Sequence, residues 1–380
     1  MKSIVIVAAK RTPQGRFLGA LIKRSAVDLA VHAGREAVKT VGVENIDQVI
    51  LGNVLAAGQG MNTARQVGVG LGLPLDRPAF TVNMMCASGM QAVILAAQAI
   101  RAGDARVVLC GGTESMSNAP YLLDRARSGY KLGDGVLIDS ILRDGLTDTF
   151  SKAHMGLTTE RLAELYKIGR AEQDAFAARS QQTYAEALAR SVFADELAPL
   201  DELKQDEHPR PDATVAKLAA MKPAFKPDGT ITAGNASGIN DGAAMLVVCD
   251  GETASRQGWK VLATIAGSAT VGCDPGLMGL GPVHATRRLC AQSGLCLKDF
   301  EAVELNEAFA AQSLACIQEL GLQPERVNVH GGAIALGHPI GASGARLLVH
   351  LAHCLARGEV KSALATLCVG GGMGTAVALT

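Results

Sequence analysis

The strongest constraint on the fold is that the last third of this chain rewrites the first. Glu301-Ala302-Val303-Glu304-Leu305-Asn306-Glu307 echoes Asp47-Gln48-Val49-Ile50-Leu51-Gly52-Asn53, and Gly341-Ala342-Ser343-Gly344 echoes Cys86-Ala87-Ser88-Gly89. Thr366-Leu367-Cys368, followed by glycines, echoes Val108-Leu109-Cys110-Gly111. The intervals agree: Asn53 to Ser88 is 35 residues and Asn306 to Ser343 is 37, while Ser88 to Cys110 is 22 and Ser343 to Cys368 is 25. Self-similarity of this kind describes two related strand–helix units packed together. Helices shared between two sheets are buried on all sides, which fits 43 glycines, frequent alanine and only 3% aromatics. Small side chains let backbones approach closely.

Within each unit, strand and helix patterns alternate. Ser3–Ala8 reads as a first strand, and a helix follows from about Ser25 to Val41, with Ser25 and Asp28 placed for a capping box. Val49–Val54, Ala79–Val82 and Val107–Gly112 read as strands, with helices over Asn62–Gly70 and Gln91–Ile100 between them. Such alternation predicts a mostly parallel sheet covered on both faces. From about 119 to 237 strand signals nearly vanish and charge rises, so this stretch reads as an insertion with helices around Arg170. The expected division is 1–118 for the N-terminal half (completed by 238–260), 119–237 for an inserted loop domain and 261–380 for the C-terminal half.

Lys+Arg and Asp+Glu both number 36, so the net charge is zero and no electrostatic partner such as nucleic acid is expected. The nine cysteines are odd in number, irregular in spacing and without a CxxC, so neither a disulfide framework nor a zinc site is expected, and a reducing compartment fits. Ile4–Ala9 is too short for a signal segment, and no run approaches the roughly 20 apolar residues of a membrane span. A soluble, cytoplasmic protein is the expectation.

Cys86 falls where the Ala79–Val82 strand turns into a helix. Unpaired backbone N–H groups and the helix dipole favour thiolate there, making it a candidate nucleophile. By the repeat, Gly337-His338-Pro339 lies in the mirror-image loop, so His338 is a candidate base beside Cys86. Cys368 ends a strand before Gly370-Gly371-Gly372-Met373-Gly374, whose N–H groups can face a developing oxyanion. Asn306, at the end of another strand, can hold a water or donate to an oxyanion.

These motifs, in this order and over essentially the full length, resemble the thiolase family, specifically its biosynthetic acetyl-CoA acetyltransferase branch. Arg11-Thr12-Pro13, His154-Met155-Gly156, Asn235–Gly242 and Asn306-Glu307-Ala308-Phe309 share in the likeness. The resemblance implies a thiolase fold, α/β, of two duplicated βαβαβαββ halves in a layered α-β-α-β-α core plus an inserted loop domain. It implies that Cys86 carries the acyl group, that His338 activates it and shares an oxyanion hole with a water on Asn306, and that Cys368 moves the α-proton. The N–H groups of Cys86 and Gly370 would form a second hole. His154, Met155, Arg210, Ala233, Ser237, Ile239, Met278, Ala308 and Phe309 would line the coenzyme A channel. Lys217 departs from the family, which often has a small hydroxyl residue there. Acetyl-CoA and acetoacetyl-CoA are the implied substrates, with no metal or redox cofactor. The segment Tyr121–Thr147 resembles the loop that joins dimers into tetramers, so a homotetramer is expected.

Two enzymatic alternatives remain. A decarboxylating ketoacyl synthase would not place a cysteine in the final glycine turn. A degradative or broad-range 3-ketoacyl-CoA thiolase is disfavoured by His154-Met155-Gly156 and the polar Lys131-Leu132-Gly133-Asp134 loop. A non-catalytic acyl-CoA binder is disfavoured because all four reactive positions are present.

Overall fold

The structure is a computed structural model, and residues 2–380 are described. In the N-terminal half the elements are β1 (Ile4–Arg11), β2 (Gly15–Arg16), α1 (Ala26–Val38), β3 (Gln48–Gly52), α2 (Thr63–Gly70), β4 (Ala79–Val82), α3 (Ser88–Ala102) and β5 (Val107–Ser115). The middle segment carries a small hairpin, β6 (Tyr121–Leu123) and β7 (Leu137–Asp139), a π-turn at Ile141–Leu146, and helices α4 (Met155–Tyr166), α5 (Arg170–Ala189) and α6 (Val215–Ala219). β8 (Asn240–Asp250) and α7 (Gly251–Gln257) return to the first half. The second half holds β9 (Ala263–Gly272), α8 (Gly281–Ser293), β10 (Ala302–Leu305), α9 (Ala310–Leu320), α10 (Ala333–Leu336), α11 (Ile340–Ala356), β11 (Ala363–Val369) and β12 (Met373–Leu379).

Local chemistry accounts for several boundaries. Ser25 caps α1 in a reciprocal box: its Oγ accepts from the Asp28 N–H at 3.1 Å, and Asp28 Oδ2 accepts from the Ser25 N–H at 3.0 Å. Asn62 caps α2 by accepting from the Arg65 N–H.

The strands run in the order β10-β11-β12-β9-β1-β8-β5-β3-β4, with β2 beside β8. The halves meet through a short antiparallel contact, Val5 with Thr264 and Ile6 with Ala263. Only β3–β4, β3–β5 and β10–β11 are parallel; β1, β5, β8, β9, β11 and β12 join in antiparallel ladders. The expected mostly parallel sheet is thus mixed. One cause is visible at Gly370–Gly372, where the link between β11 and β12 is too short for the crossover that parallel strands require. The strand that would match β4 in the second half is reduced to a single parallel bridge between Val303 and Val327.

Helices α3 and α11 pack against each other between the two sheet halves, in a core with Ile6, Val108, Leu246, Leu367 and Val377. Helices α1 and α2 cover the outer face of one half, and α8 and α9 that of the other. This is the α-β-α-β-α stack. The central pair demands glycine: a Cβ on Gly344 would lie 2.7 Å from Met90 Cβ, and one on Gly89 would lie 2.9 Å from the Gly341 carbonyl oxygen.

The ladders also correct one echo. If Asn53 and Asn306 correspond, the pairs Gly52–Gly112 and Leu305–Thr366 make Gly112 the counterpart of Thr366. Two residues on, the counterpart of Cys368 is therefore Glu114, and Cys110 is a core residue with no exposure.

Candidate active site

One cavity of about 330 Å³ opens where the halves and the inserted segment meet. Cys86, His338, Cys368 and Gly370 line it together with His154, Met155, Arg210, Ala233, Ser237, Ile239, Met278, Ala308 and Phe309. Asn306 is fully buried, and no protein group hydrogen-bonds either its Oδ1 or its Nδ2. Buried amides are normally satisfied, so this residue stands out.

Cys86 sits in the turn between β4 and α3. The turn is forced by Met85, whose φ of 46° is left-handed and costly for a side chain of this size. Ser88 braces it: its Oγ accepts from the Met84 N–H at 2.9 Å and donates to the Met85 carbonyl at 2.6 Å. Burial pushes the Cys86 thiol up to about 11, opposed by the N–H groups of Gly370 and of Cys86 itself. The helix N-terminus does not keep a thiolate here in the free chain, because desolvation outweighs it. Those two opposing N–H groups are the pair expected to form an oxyanion hole. Gly370 reaches the sulfur because it lacks a side chain; a Cβ there would lie 3.1 Å from Met155 Cε.

Cys368 is the penultimate residue of β11 and is 1% exposed. Burial, then the neighbouring Cys86, holds its thiol well above the ordinary range. The two halves thus bring their sulfurs to one place.

His338 is positioned by its own N–H, which donates to Asn240 Oδ1 at 2.9 Å. Ser343 Oγ donates to the Pro339 carbonyl at 2.9 Å and so accepts from His338 Nδ1–H at 2.6 Å. This places the ring proton on Nδ1, and Nε2 is buried without a protein partner. Burial, then the charge of Arg346, pushes the imidazole down to about 3, so the ring is neutral. The resting Cys–His pair is a neutral thiol and a neutral imidazole, not the thiolate expected at a helix N-terminus.

The outer channel is built by the insertion. Glu160 accepts the N–H groups of Thr230 and Ile231, and Asn235 Nδ2 donates to Asp174 Oδ1 at 2.9 Å. These bonds hold the 231–239 loop against Ala308 and Phe309, where the Ser237 hydroxyl donates to the Ala308 carbonyl at 3.0 Å. His154 caps α4, its Nδ1 accepting from the Gly156 N–H, and stacks on Phe225 at 4.8 Å. Phe225 meets Phe309 edge-on at 6.1 Å. Lys217 is engaged with Asp212 at 2.7 Å on the surface.

Sequence reasoning missed Phe225, Leu146 and Glu114. Phe225, a rare aromatic inside the proline-bearing 223–227 loop, carried a usable signal. Glu114 carried none. Its buried carboxylate accepts from Asn53 Nδ2 (2.8 Å) and from the N–H groups of Val54, Leu55 and Gly341, so it ties the loop after β3 to the start of α11. Burial raises it to about 7 against those donors.

Comparison with known proteins gives consistent results. Residues 4–252 match the family described as "Thiolase, N-terminal domain", and residues 259–380 match "Thiolase, C-terminal domain". An acetyl-CoA acetyltransferase of Pseudomonas aeruginosa is 50% identical over 390 aligned residues, covering 100% of this chain and 99% of that protein. The crystal structure of the Bacillus anthracis acetyl-CoA acetyltransferase superposes with a TM-score of 0.97 at 43% identity, covering 100% of this chain and 98% of the other. The human mitochondrial 3-ketoacyl-CoA thiolase matches with the same TM-score of 0.97, identity of 43% and coverage of 100% and 98%.

Proposed function

This chain belongs to the thiolase family, and from that membership we propose how its cavity performs acetyl-CoA C-acetyltransfer, the reversible condensation of two acetyl-CoA to acetoacetyl-CoA and coenzyme A. The observation that carries the assignment of roles is the convergence of Cys86, Cys368, His338 and the Gly370 N–H on one cavity.

His338 Nε2 takes the Cys86 proton as the sulfur attacks the acetyl carbonyl. The C–S bond to coenzyme A breaks, Cys368 gives its proton to the leaving thiolate, and acetyl-Cys86 remains beside a protonated His338 and a Cys368 thiolate. The protonated His338, together with a water held by Asn306, donates to one carbonyl oxygen; the Cys86 and Gly370 N–H groups donate to the other. The neutral resting pair suits this order, since charge develops only as the bond forms. A second acetyl-CoA then loses an α-proton to Cys368, whose thiolate form arises in the preceding exchange of protons with the departing coenzyme A. The resulting enolate carbon attacks acetyl-Cys86; a C–C bond forms, the thioester bond breaks and Cys86 regains its proton from His338. Every step is acyl or proton transfer between substrate and these groups. Ser237, Ala233, Ile239, Met278, Ala308 and Phe309 hold the pantetheine, His154 and Met155 the acyl end, and Arg210 the nucleotide end.

The test is intact mass after incubation with acetyl-CoA. Wild type and Cys368→Ser gain one acetyl group, Cys86→Ser gains none, and only wild type forms acetoacetyl-CoA. Acetylation that survives Cys86→Ser refutes the assignment. The likeness to a human 3-ketoacyl-CoA thiolase supports a second reading, a broader chain range. A steep fall in thiolysis rate beyond four carbons decides for the short-chain enzyme.

We also propose a cytoplasmic homotetramer. Tyr121, Leu123, Leu132, Val136, Leu137 and Phe150 are exposed apolar residues on and beside the β6–β7 hairpin, with Leu132 98% exposed. Such a patch is an association surface. All nine cysteines are free, which fits a reducing compartment, and no helix among the described residues is long and apolar enough to cross a membrane. A stable monomer in mass photometry rules out the tetramer.

A further inference from the structure

Away from the channel, three metal-ligating side chains from two segments meet in the protein interior. His350 and Cys354 lie four residues apart on one face of α11, and His330 comes from the loop just before α10. His330 Nδ1 is 3.0 Å from His350 Nε2, and Cys354 Sγ is 3.6 Å from His350 Nε2 and 4.0 Å from His330 Nδ1. A tetrahedral zinc ion with ordinary bond lengths holds two nitrogens about 3.3 Å apart and nitrogen and sulfur about 3.6 Å apart. The three observed edges differ from these by only a few tenths of an ångström.

The surroundings also suit a metal. His350 Nδ1–H donates to Glu196 Oε2 at 2.8 Å. That fixes a proton on Nδ1 and turns Nε2 toward the cluster, the arrangement in which a carboxylate backs a ligating histidine. All three residues line a cavity of about 300 Å³ that also contains Glu359. Arg357 Nη2 donates to Cys354 Sγ at 3.6 Å, and its Nε donates to Glu359 Oε1 at 2.8 Å.

We propose that His330, His350 and Cys354 form a structural site for a borderline-soft divalent metal ion of the zinc class. One thiolate with two imidazoles selects such an ion over magnesium or calcium. Binding releases the Cys354 thiol proton and the proton shared by the two rings to solvent. The ion ties the end of α11 to the 328–331 loop and, through Glu196, to the inserted segment. Cys354 lies about 20 Å of helix from the start of α11, so the ion acts on stability and takes no part in the reaction. The cysteine spacing concealed the site, because two of its three ligands are histidines, one of them on a separate segment.

The test uses the full-length chain stripped with chelator. Zinc is titrated against a chromophoric chelator, and Co²⁺ is added separately as a spectroscopic probe. Expected are one tight equivalent per chain, thiolate-to-cobalt charge transfer with tetrahedral visible bands, and a zinc-dependent rise in the unfolding midpoint. Cys354→Ser and His330→Ala abolish all three, Cys86→Ser keeps them, and Cys354→Ser condenses acetyl-CoA at the wild-type rate. If His330→Ala fails to fold, the near-isosteric Cys354→Ser decides. No tight equivalent, or one that survives Cys354→Ser and disappears in Cys86→Ser, overturns the proposal.

Discussion

Replacing Glu114 by glutamine tests whether burial or hydrogen bonding governs the site's least obvious carboxyl group. Four N–H donors surround it and favour the charge, yet burial raises it from 4.5 to about 7. Each tenfold change in acidity is 1.36 kcal/mol, so the group changes folding free energy by about 3 kcal/mol across that interval. The folded chain keeps a proton that the unfolded chain releases above pH 4.5. This contribution is therefore fully present below pH 4.5 and is lost as pH rises to about 7. Two histidines tilt the other way: His338 is pushed down to about 3 and His208 to about 4, so their neutral forms favour folding as pH rises. The difference between wild type and Glu114→Gln cancels them. Glutamine keeps the volume and loses one acceptor, which shifts the variant by a constant. Urea unfolding at half-unit steps from pH 4.5 to 8 then gives a difference that falls by about 3 kcal/mol and levels off above pH 7. A flat difference would mean that the four donors win and Glu114 is ionised throughout.

Asn306→Ala should lower acetyl transfer by roughly 10²–10³ while leaving the unfolding midpoint unchanged or higher, since a buried amide without protein partners costs stability; steady-state rates and thermal melts read both. Phe225→Ala removes a stack at 4.8 Å and an edge contact at 6.1 Å; with such pairs worth roughly 0.5–1.5 kcal/mol each, KM for acetyl-CoA should rise about tenfold with kcat little changed. Gly344→Val drives a side chain into Met90 across the α3–α11 contact and should cost about 3 kcal/mol, seen as a lowered melting temperature or loss of soluble protein.

The parts of the fold that were legible in the sequence are those decided locally. The Ser25–Asp28 box, the Asn62 cap and the Ala79–Val82 strand rest on neighbours a few residues away. The channel residues were readable because their motifs are contiguous. Glu114 was hidden because its equivalence to Cys368 exists only in the ladder register, which an echo of Val108-Leu109-Cys110 misplaced. The protonation of Cys86 was misjudged for a related reason. A helix N-terminus can be read from the chain, whereas the desolvation that dominates it is supplied by both halves together. Strand direction likewise depended on the brevity of the Gly370–Gly372 turn rather than on the alternating pattern.

The middle position of β1 has a bearing on how the molecule is made. Both its neighbours, β8 and β9, come from far along the chain: the Ala243 N–H donates to Thr12 Oγ1 across 231 residues. At a ribosomal pace of about 5–20 residues per second, this apolar ribbon waits roughly 10–50 s after synthesis for a partner. During that wait it is an open sticky edge, so expression at lower temperature or with extra chaperone should raise the soluble yield of the nascent polypeptide far more than it alters the finished enzyme.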